Sequence, residues 1–352
     1  MPRTRRIYFV VVLFFIIIFT LTQNMDKVFY RVWYLNGFIN TLEANNISCY
    51  DNKTSNTLEE LHHPTFDSSI FFLETSCHSR PGVHLLPRQA CAVESAAKMN
   101  PNSDVYVLFP SPIIDNMSLS SPAVQQLYKY PNIKLRHINM ETYFKNTPLE
   151  TWYSFGMLRT SRWPRSHASD VLRYLTLWKF GGVYLDLDVV VIRSLKNMLN
   201  FAGAESGEDV AAGVLSFSHD KNGNDMALSC LTELKKDFRG YDWGYNGPGV
   251  ITRMLKKKCQ TKQIQHMTPE TCNGFTVYAP NYFYPVPWRQ WNLYFDSNSL
   301  NSTMRTIHNS YAIHVWNKFS ILANITVGSK QPYGIIASQF CPQVYNNIGA
   351  IF

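Results

Sequence analysis

The 352-residue chain lacks most of the short signatures that announce a familiar chemistry. Its seven cysteines include no Cys-x-x-Cys pair, which removes the usual structural zinc framework. There is no Gly-x-Gly-x-x-Gly and no Gly-Lys-Ser/Thr phosphate loop, so neither a dinucleotide fingerprint nor a P-loop is present. His-Glu-x-x-His, the helical zinc-protease signature, is also absent. No basic run is interleaved with aromatics, which argues against nucleic acid as a partner. No pair of carboxylates stands out as the acid and nucleophile of a glycosidase. No internal repeat is found, which sets aside solenoids and propellers.

What is present suits a globular protein. The chain is 45% hydrophobic, and its length is long for one domain without forcing two. The formal charge is +8, a modest excess that suits an anionic ligand or an anionic membrane surface. Arg3, Arg5 and Arg6 precede an uninterrupted apolar run, Ile7 to Leu21. No small-x-small cleavage site follows, so the run reads as an uncleaved signal anchor with its basic end cytosolic. The expected organisation is a cytosolic tail (1–6), a transmembrane anchor (7–22), a polar stem (23–67) and a lumenal domain (68–352) with halves at 68–200 and 201–352. Five Asn-x-Ser/Thr acceptors begin at Asn46, Asn52, Asn116, Asn301 and Asn324, and they favour a lumenal body. In an oxidising lumen seven cysteines imply disulfides and at least one unpaired thiol. Cys77 with Cys91, and Cys259 with Cys272, are close enough in sequence to suspect, although spacing does not decide connectivity.

The most informative stretch runs from Ser169 to Ile192. From Ser166 to Phe180 the pattern is helical, with Val171, Tyr174, Leu175 and Trp178 on one face. Ser166 or Ser169 is a candidate cap, and Gly181-Gly182 ends the helix. Asp170 and Arg173, three apart, share a face. Asp186 and Asp188 then interrupt an apolar, β-branched run that reads as a buried strand. Residues two apart on a strand point the same way, so both carboxylates aim at one spot. Two buried carboxylates need a partner, and a hard divalent cation held jointly with a diphosphate is the natural one.

Around this stretch, strands and helices alternate. Strands are predicted at Ser69–Leu73, Asp104–Phe109, Ile133–Ile138 and from Val183, with a helix at Ala90–Met99. This rhythm implies a largely parallel sheet covered by helices, with ligands beyond the carboxyl ends of its strands. Further along, Val250–Lys258 reads as a helix and Tyr311–Trp316 as a strand. The aromatic run from Tyr282 to Trp291 reads either as packed loop or as a platform for an acceptor sugar.

Ser169-Asp170-x-x-Arg173-Tyr174 followed by Gly181-Gly182-x-Tyr184-x-Asp186-x-Asp188 resembles the retaining glycosyltransferases with a DXD sugar-nucleotide region. Ile70–Ser76, Val93–Ala97, Asn246-Gly247-Pro248 with Thr252-Arg253, and His314–Lys318 resemble the animal α-1,4-glycosyltransferase branch of that group. The resemblance implies an α/β fold of the GT-A nucleotide-diphospho-sugar transferase type. It implies retention of the anomeric configuration and transfer of galactose from UDP-galactose, in α-1,4 linkage, to a neutral glycosphingolipid such as lactosylceramide. It places the enzyme in the Golgi membrane as a single-pass type II protein. The alternatives are N-acetylgalactosamine or N-acetylglucosamine transfer to glycolipid or glycoprotein, and a lumenal sugar-binding protein that has lost transfer.

By the same resemblance Asp186, Asp188 and His314 hold Mn²⁺ or Mg²⁺. Asp170, Arg173, Tyr184, Gly247 and Glu74-Thr75-Ser76 contact the donor. Trp316, Asn317 and Ser320 close over its diphosphate. Asn246 lines the sugar site. Asp242 is one candidate nucleophile, and a front-face displacement guided by the leaving diphosphate is the other account.

Overall fold

The computed structural model describes residues 47–51, 57–77 and 81–352. The predicted anchor at 7–22 lies outside the described residues. Among the described helices none is long and apolar enough to cross a membrane.

Among the described residues nine strands form the framework: β1 (Ile70–Leu73), β2 (Val105–Phe109), β3 (Ile133–His137), β4 (Gly182–Leu185), β5 (Val189–Val191), β6 (Phe201–Ala204), β7 (Val210–Phe217), β8 (Thr276–Tyr278) and β9 (Ala312–His314). Seven of them make one sheet in the order β3-β2-β1-β4-β7-β6-β8. The first four are mutually parallel. β7 runs antiparallel to β4 and β6, and β8 parallel to β6. The sheet is therefore mostly parallel, as the alternation predicted. β5 and β9 form a separate antiparallel pair.

Both faces of the sheet are covered, which is why its strands read as continuous apolar runs. Alternate residues serve opposite faces. Ile70, Phe72, Val105, Val107, Phe109, Val183 and Leu185 enter one core. Phe71, Leu73, Tyr106, Leu108 and Tyr184 enter the other. The first core is closed by α1 (Pro87–Met99) and by α5 (Pro332–Phe340). The second is closed by α2 (Pro164–Phe180), α3 (Lys221–Lys236) and α4 (Pro248–Lys258).

Three local expectations need correction. The apolar run from Val183 to Ile192 is not one strand: it breaks into β4 and β5, and Asp186–Asp188 occupy the turn between them. Carboxylates are better satisfied in a turn, where backbone amides are free, than in the body of a covered sheet. Helix α2 starts at Pro164, not at a serine. Proline suits the first helical turn because its missing N–H has no intrahelical partner there. Ser161 Oγ accepts the Trp163 N–H at 2.8 Å just ahead of it. Finally, Cys77 pairs with Cys49, and Cys91 with Cys341 across 250 residues, so the suspected Cys77–Cys91 bridge is not formed. Helix α1 carries Cys91 inward, where it meets Cys341 at the end of α5. The Cys259–Cys272 bridge is formed, and Cys230 is the buried free thiol.

Residues 47–51 and 57–67, read from sequence as the end of a stem, pack on the body. Ile47, Tyr50 and Leu58 are buried, and Glu60 bridges in parallel to His137 beside β3.

Candidate active site

The chain leaves β1 towards β2 and β3 on one side and reaches β4 on the other, so the strand order reverses between β1 and β4. Crevices beyond such a reversal are where open α/β sheets bind ligands. The carboxyl end of β1 carries Glu74-Thr75-Ser76, and that of β4 carries Asp186. Glu74 is buried, and its Oε1 accepts the Ser76 N–H at 3.1 Å. The Thr75 carbonyl accepts the Tyr50 hydroxyl.

Asp186 is held from three sides. Its backbone N–H donates to Gly213 O at 2.8 Å. Its Oδ1 accepts the Tyr184 hydroxyl at 2.7 Å and lies 3.2 Å from Arg173 Nη1. Asp188 is held by the segment after β9. Its Oδ2 accepts the Asn317 N–H at 2.9 Å, and its carbonyl accepts the Val315 N–H at 2.9 Å. Its Oδ1 is 3.2 Å from His314 Nε2. The β5–β9 register, which sets Val189 opposite His314, brings this histidine to the turn. Trp316 adopts a left-handed conformation, φ 56°, which is uncommon for a bulky residue. Its N–H donates to His314 Nδ1 at 3.2 Å and its indole N–H to Val286 O at 2.8 Å. Burial, with Asp186 alongside, raises the Asp188 carboxyl above its usual range, against the pull of His314.

Asp186, Asp188 and His314 offer ligand atoms that all lie within 4.8 Å of one another. Two carboxylates and an imidazole suit a borderline-hard divalent ion such as Mn²⁺. Beside them, Tyr284 Oη and Asn317 Oδ1 are buried without hydrogen-bond partners, which is costly unless a ligand supplies them.

Arg173 is engaged by groups of the protein itself. Its Nε donates to Ser169 O at 3.2 Å. Nη1 reaches Ala212 O at 2.8 Å and Asp186, and Nη2 reaches Ser169 Oγ and Asp170 Oδ1, both at 3.0 Å. Three of its N–H groups have hydrogen-bond acceptors in the protein, and its two terminal nitrogens also form ion pairs with carboxylates. Arg173 therefore fixes the two carboxylates. Asp170 is pushed up to about 6 by burial, which Arg173 opposes.

Gly213 and Gly247 make room for these acids. A Cβ at 213 would stand 2.7 Å from Asp186 Oδ2, and one at 247 would stand 2.2 Å from Asp170 Oδ1. Asn246 is fully buried, and its amide is used inside the protein. Its Oδ1 accepts the Arg239 N–H at 2.9 Å and its Nδ2 donates to Arg239 O at 2.8 Å. It positions the loop that carries Gly247. Ser320 is likewise structural: its Oγ donates to Val315 O at 2.8 Å, and its carbonyl accepts from Arg88 at 2.8 Å. Asp242 lies exposed in the 239–247 loop and makes no approach to the acids among its hydrogen bonds. In the aromatic run, Tyr282 stacks on Tyr311, Phe283 on Phe201 and Trp288 on Phe319. The packed-loop reading describes most of it. Tyr284 is the exception, with its ring 5.5 Å from that of His314.

Sequence reasoning gave no role to Gly213 or Lys318, and it placed Tyr284 only within the aromatic run, away from the acids. Lys318 lies with its Nζ 3.1 Å from the Trp243 ring centroid, and burial lowers it to about 7 against the attraction of Asp170. Only Lys318 had a signal, its place four residues after His314.

A mostly parallel, helix-covered sheet with an Asp-x-Asp turn at its switch point defines a DXD glycosyltransferase of GT-A-like fold. Residues 87–204 match the glycosyltransferase sugar-binding region containing the DXD motif, and residues 219–348 match the α-1,4-glycosyltransferase conserved region. The chain is 33% identical to lactosylceramide 4-alpha-galactosyltransferase of Mus musculus, over 79% of this chain and 75% of the relative. It is 33% identical to that of Homo sapiens, over 81% and 78%. Alpha-1,4-N-acetylglucosaminyltransferase of Homo sapiens is 29% identical over 79% and 80%. The chain belongs to the α-1,4-glycosyltransferase family, and it is a hexosyltransferase of the α-1,4-galactosyltransferase type.

Proposed function

We propose that this enzyme transfers galactose from UDP-galactose, in α-1,4 linkage and with retention, to a neutral glycosphingolipid such as lactosylceramide. The observation that carries the reading is the convergence of Asp186, Asp188 and His314 at the switch point, in a chain whose galactosyltransferase relatives are more similar than its N-acetylglucosaminyltransferase relative. Asp186, Asp188 and His314 would hold Mn²⁺, which as a Lewis acid supplies positive charge where the departing diphosphate gains negative charge. Tyr184 and Arg173 keep Asp186 oriented. The Asn317 N–H keeps Asp188 oriented. Asp170, seated against Gly247, presents a carboxylate to the hydroxyls of the donor sugar. Lys318 adds a cation on the same side. A lumenal, type II Golgi location fits the Arg-flanked apolar run at 7–21, the bridged cysteines and the exposed Asn116, Asn301 and Asn324.

The test is transfer by the full chain against a panel of UDP-sugars and neutral glycolipids, with and without Mn²⁺. A product with a new terminal α-linked galactose on lactosylceramide supports the reading. A terminal N-acetylhexosamine, or products confined to protein-linked glycans, overturns the donor or the acceptor assignment respectively.

A further inference from the structure

The Tyr245 ring lies between two guanidinium groups. Arg239 Cζ and Arg253 Cζ are each 3.8 Å from its centroid. Two cations at that distance cannot share one face of a ring, so they cover opposite faces. Each is anchored by a carboxylate: Arg239 donates to Asp237 through Nε at 3.2 Å and Nη2 at 2.9 Å, and Arg253 Nε donates to Glu233 at 2.8 Å. The Tyr245 hydroxyl donates to Asp237 as well. Two positive and two negative groups are thus stacked on one phenol ring, a cation–π arrangement that is locally neutral.

This stack closes a loop. Arg239 begins it and Tyr245-Asn246 end it. Asn246 clasps the backbone of Arg239 through both of its amide atoms, and Tyr245 covers the side chain of the same arginine. Arg253 Nη1 also donates to Tyr245 O at 3.3 Å, which ties the loop to helix α4. The next residue is Gly247, whose carbonyl accepts the Tyr174 hydroxyl at 2.8 Å and whose α-carbon faces Asp170. Trp243, within the loop, lies under Lys318.

We propose that Tyr245, clamped between Arg239 and Arg253, is a positioning residue that seats Gly247 against Asp170 and so sets the part of the site that receives the donor sugar, apart from the part that receives its nucleotide. The proposal rests on the reading of Asp170 as a donor-sugar contact. Asp186 and Asp188, which would hold the metal, take their other supports from β4, β7 and the Asn317 segment, and share with Asp170 only the Arg173 contact.

The experiment compares Tyr245→Leu and Tyr245→Phe in the full chain, using UDP with Mn²⁺ and UDP-galactose with Mn²⁺ as probes. Tyr245→Leu is expected to raise KM for UDP-galactose roughly tenfold, the scale of losing two exposed cation–π contacts. Its affinity for UDP should stay within about twofold of wild type. Tyr245→Phe, which keeps the ring between the guanidiniums and loses only the hydroxyl, should restore most of the donor KM. Equal losses for UDP and UDP-galactose, or a Phe variant as impaired as the Leu variant, would overturn the clamp. Unchanged KM in Tyr245→Leu would overturn it too. A wild-type enzyme that binds UDP but turns over no UDP-galactose refutes the donor assignment instead; the comparison then runs with the UDP-sugar it does use, and the clamp stands or falls on that split.

Discussion

The backbone N–H of Asn317 donates to Asp188 Oδ2 across 2.9 Å, while Asp188 Oδ1 lies 3.2 Å from His314. The carboxylate is thus oriented by an amide that no side-chain substitution removes. Asp188→Asn can keep that bond through its carbonyl oxygen while losing the charge. We expect the variant to fold with little change in melting temperature. Transfer should fall by roughly 10²–10³-fold, the scale of weakening the hold on the cation that would stabilise the leaving group. Manganese titrations of UDP binding check it. Near-normal turnover with unaltered Mn²⁺ dependence would sink the metal assignment.

Arg173 is the second test, because its guanidinium is hydrogen-bonded and ion-paired within the protein through all three nitrogens. Lysine keeps the charge but has three donors on one nitrogen and cannot span Ala212, Asp170 and Asp186 together. Arg173→Lys should therefore lose stability as well as activity, by about 2–4 kcal/mol, because it leaves a buried carboxylate poorly paired. Denaturant unfolding alongside kinetics decides between positioning and contact. A variant of native stability with only a raised donor KM would return Arg173 to direct donor binding.

Gly247→Ala probes the seat of Asp170. A methyl group 2.2 Å from Asp170 Oδ1 forces the carboxylate or the loop to move. Overpacking of this kind costs about 1–3 kcal/mol. The expected result is a folded protein with kcat/KM for the UDP-sugar reduced at least about tenfold, since a small misplacement of a positioned group has that effect. Retained activity would show that Asp170 can shift freely, against the role given to it.

Much of the site was legible because its residues are contiguous. Asp170, Arg173, Tyr184, Asp186 and Asp188 fall within 19 residues on a helix, a strand and a turn, and local periodicity places them on one side of the sheet. The reason offered for the convergence of the two aspartates was not the right one. They meet in a turn stabilised by Gly213 O and the Asn317 N–H, both distant in sequence. The same blindness to distant partners explains Asn246 and Ser320. Each had the right type and neighbourhood for a ligand contact, but each is consumed by a hydrogen bond that only the fold creates. Gly213 and Tyr284 were missed because a glycine in an apolar strand and a tyrosine in an aromatic run look like packing.

The disulfides give a chemical test of that non-local organisation. Peptide mapping without reduction should recover Cys49–Cys77, Cys91–Cys341 and Cys259–Cys272, with Cys230 alkylated only after unfolding. The Cys91–Cys341 bridge lies beside Glu94, which accepts the Gln343 and Val344 N–H groups at 2.8 and 2.7 Å and so caps the short C-terminal helix. Replacing both cysteines with alanine should cost about 2–5 kcal/mol. A recovered Cys77–Cys91 peptide would contradict the packing of α1 against α5.

His167 gives a pH dependence whose sign can be worked out. It is fully buried, with Nδ1 2.7 Å from Ser161 Oγ and Nε2 3.2 Å from Asn246 Nδ2. The two bonds from Asn246 to the Arg239 backbone fix the amide so that its NH₂ faces the ring. Nε2 must therefore accept, and the neutral ring carries its proton on Nδ1. Burial lowers His167 to about 4, with backbone groups of Trp243 and Asp242 opposing. In the unfolded chain the value is near 6.5. Between those pH values the unfolded state binds more protons, so stability is full above about 6.5, falls as the pH drops, and levels off below about 4. The whole effect is at most about 3 kcal/mol, and about 2 kcal/mol of it is present by pH 5. Other carboxylates titrate in the same range, so the informative quantity is the difference between wild type and His167→Gln. Denaturant unfolding at pH 7 and pH 5 should show that difference shrinking by about 2 kcal/mol on acidification. A difference that stays constant would mean that His167 charges as readily in the folded protein as outside it, and that the Asn246 contact leaves Nε2 open.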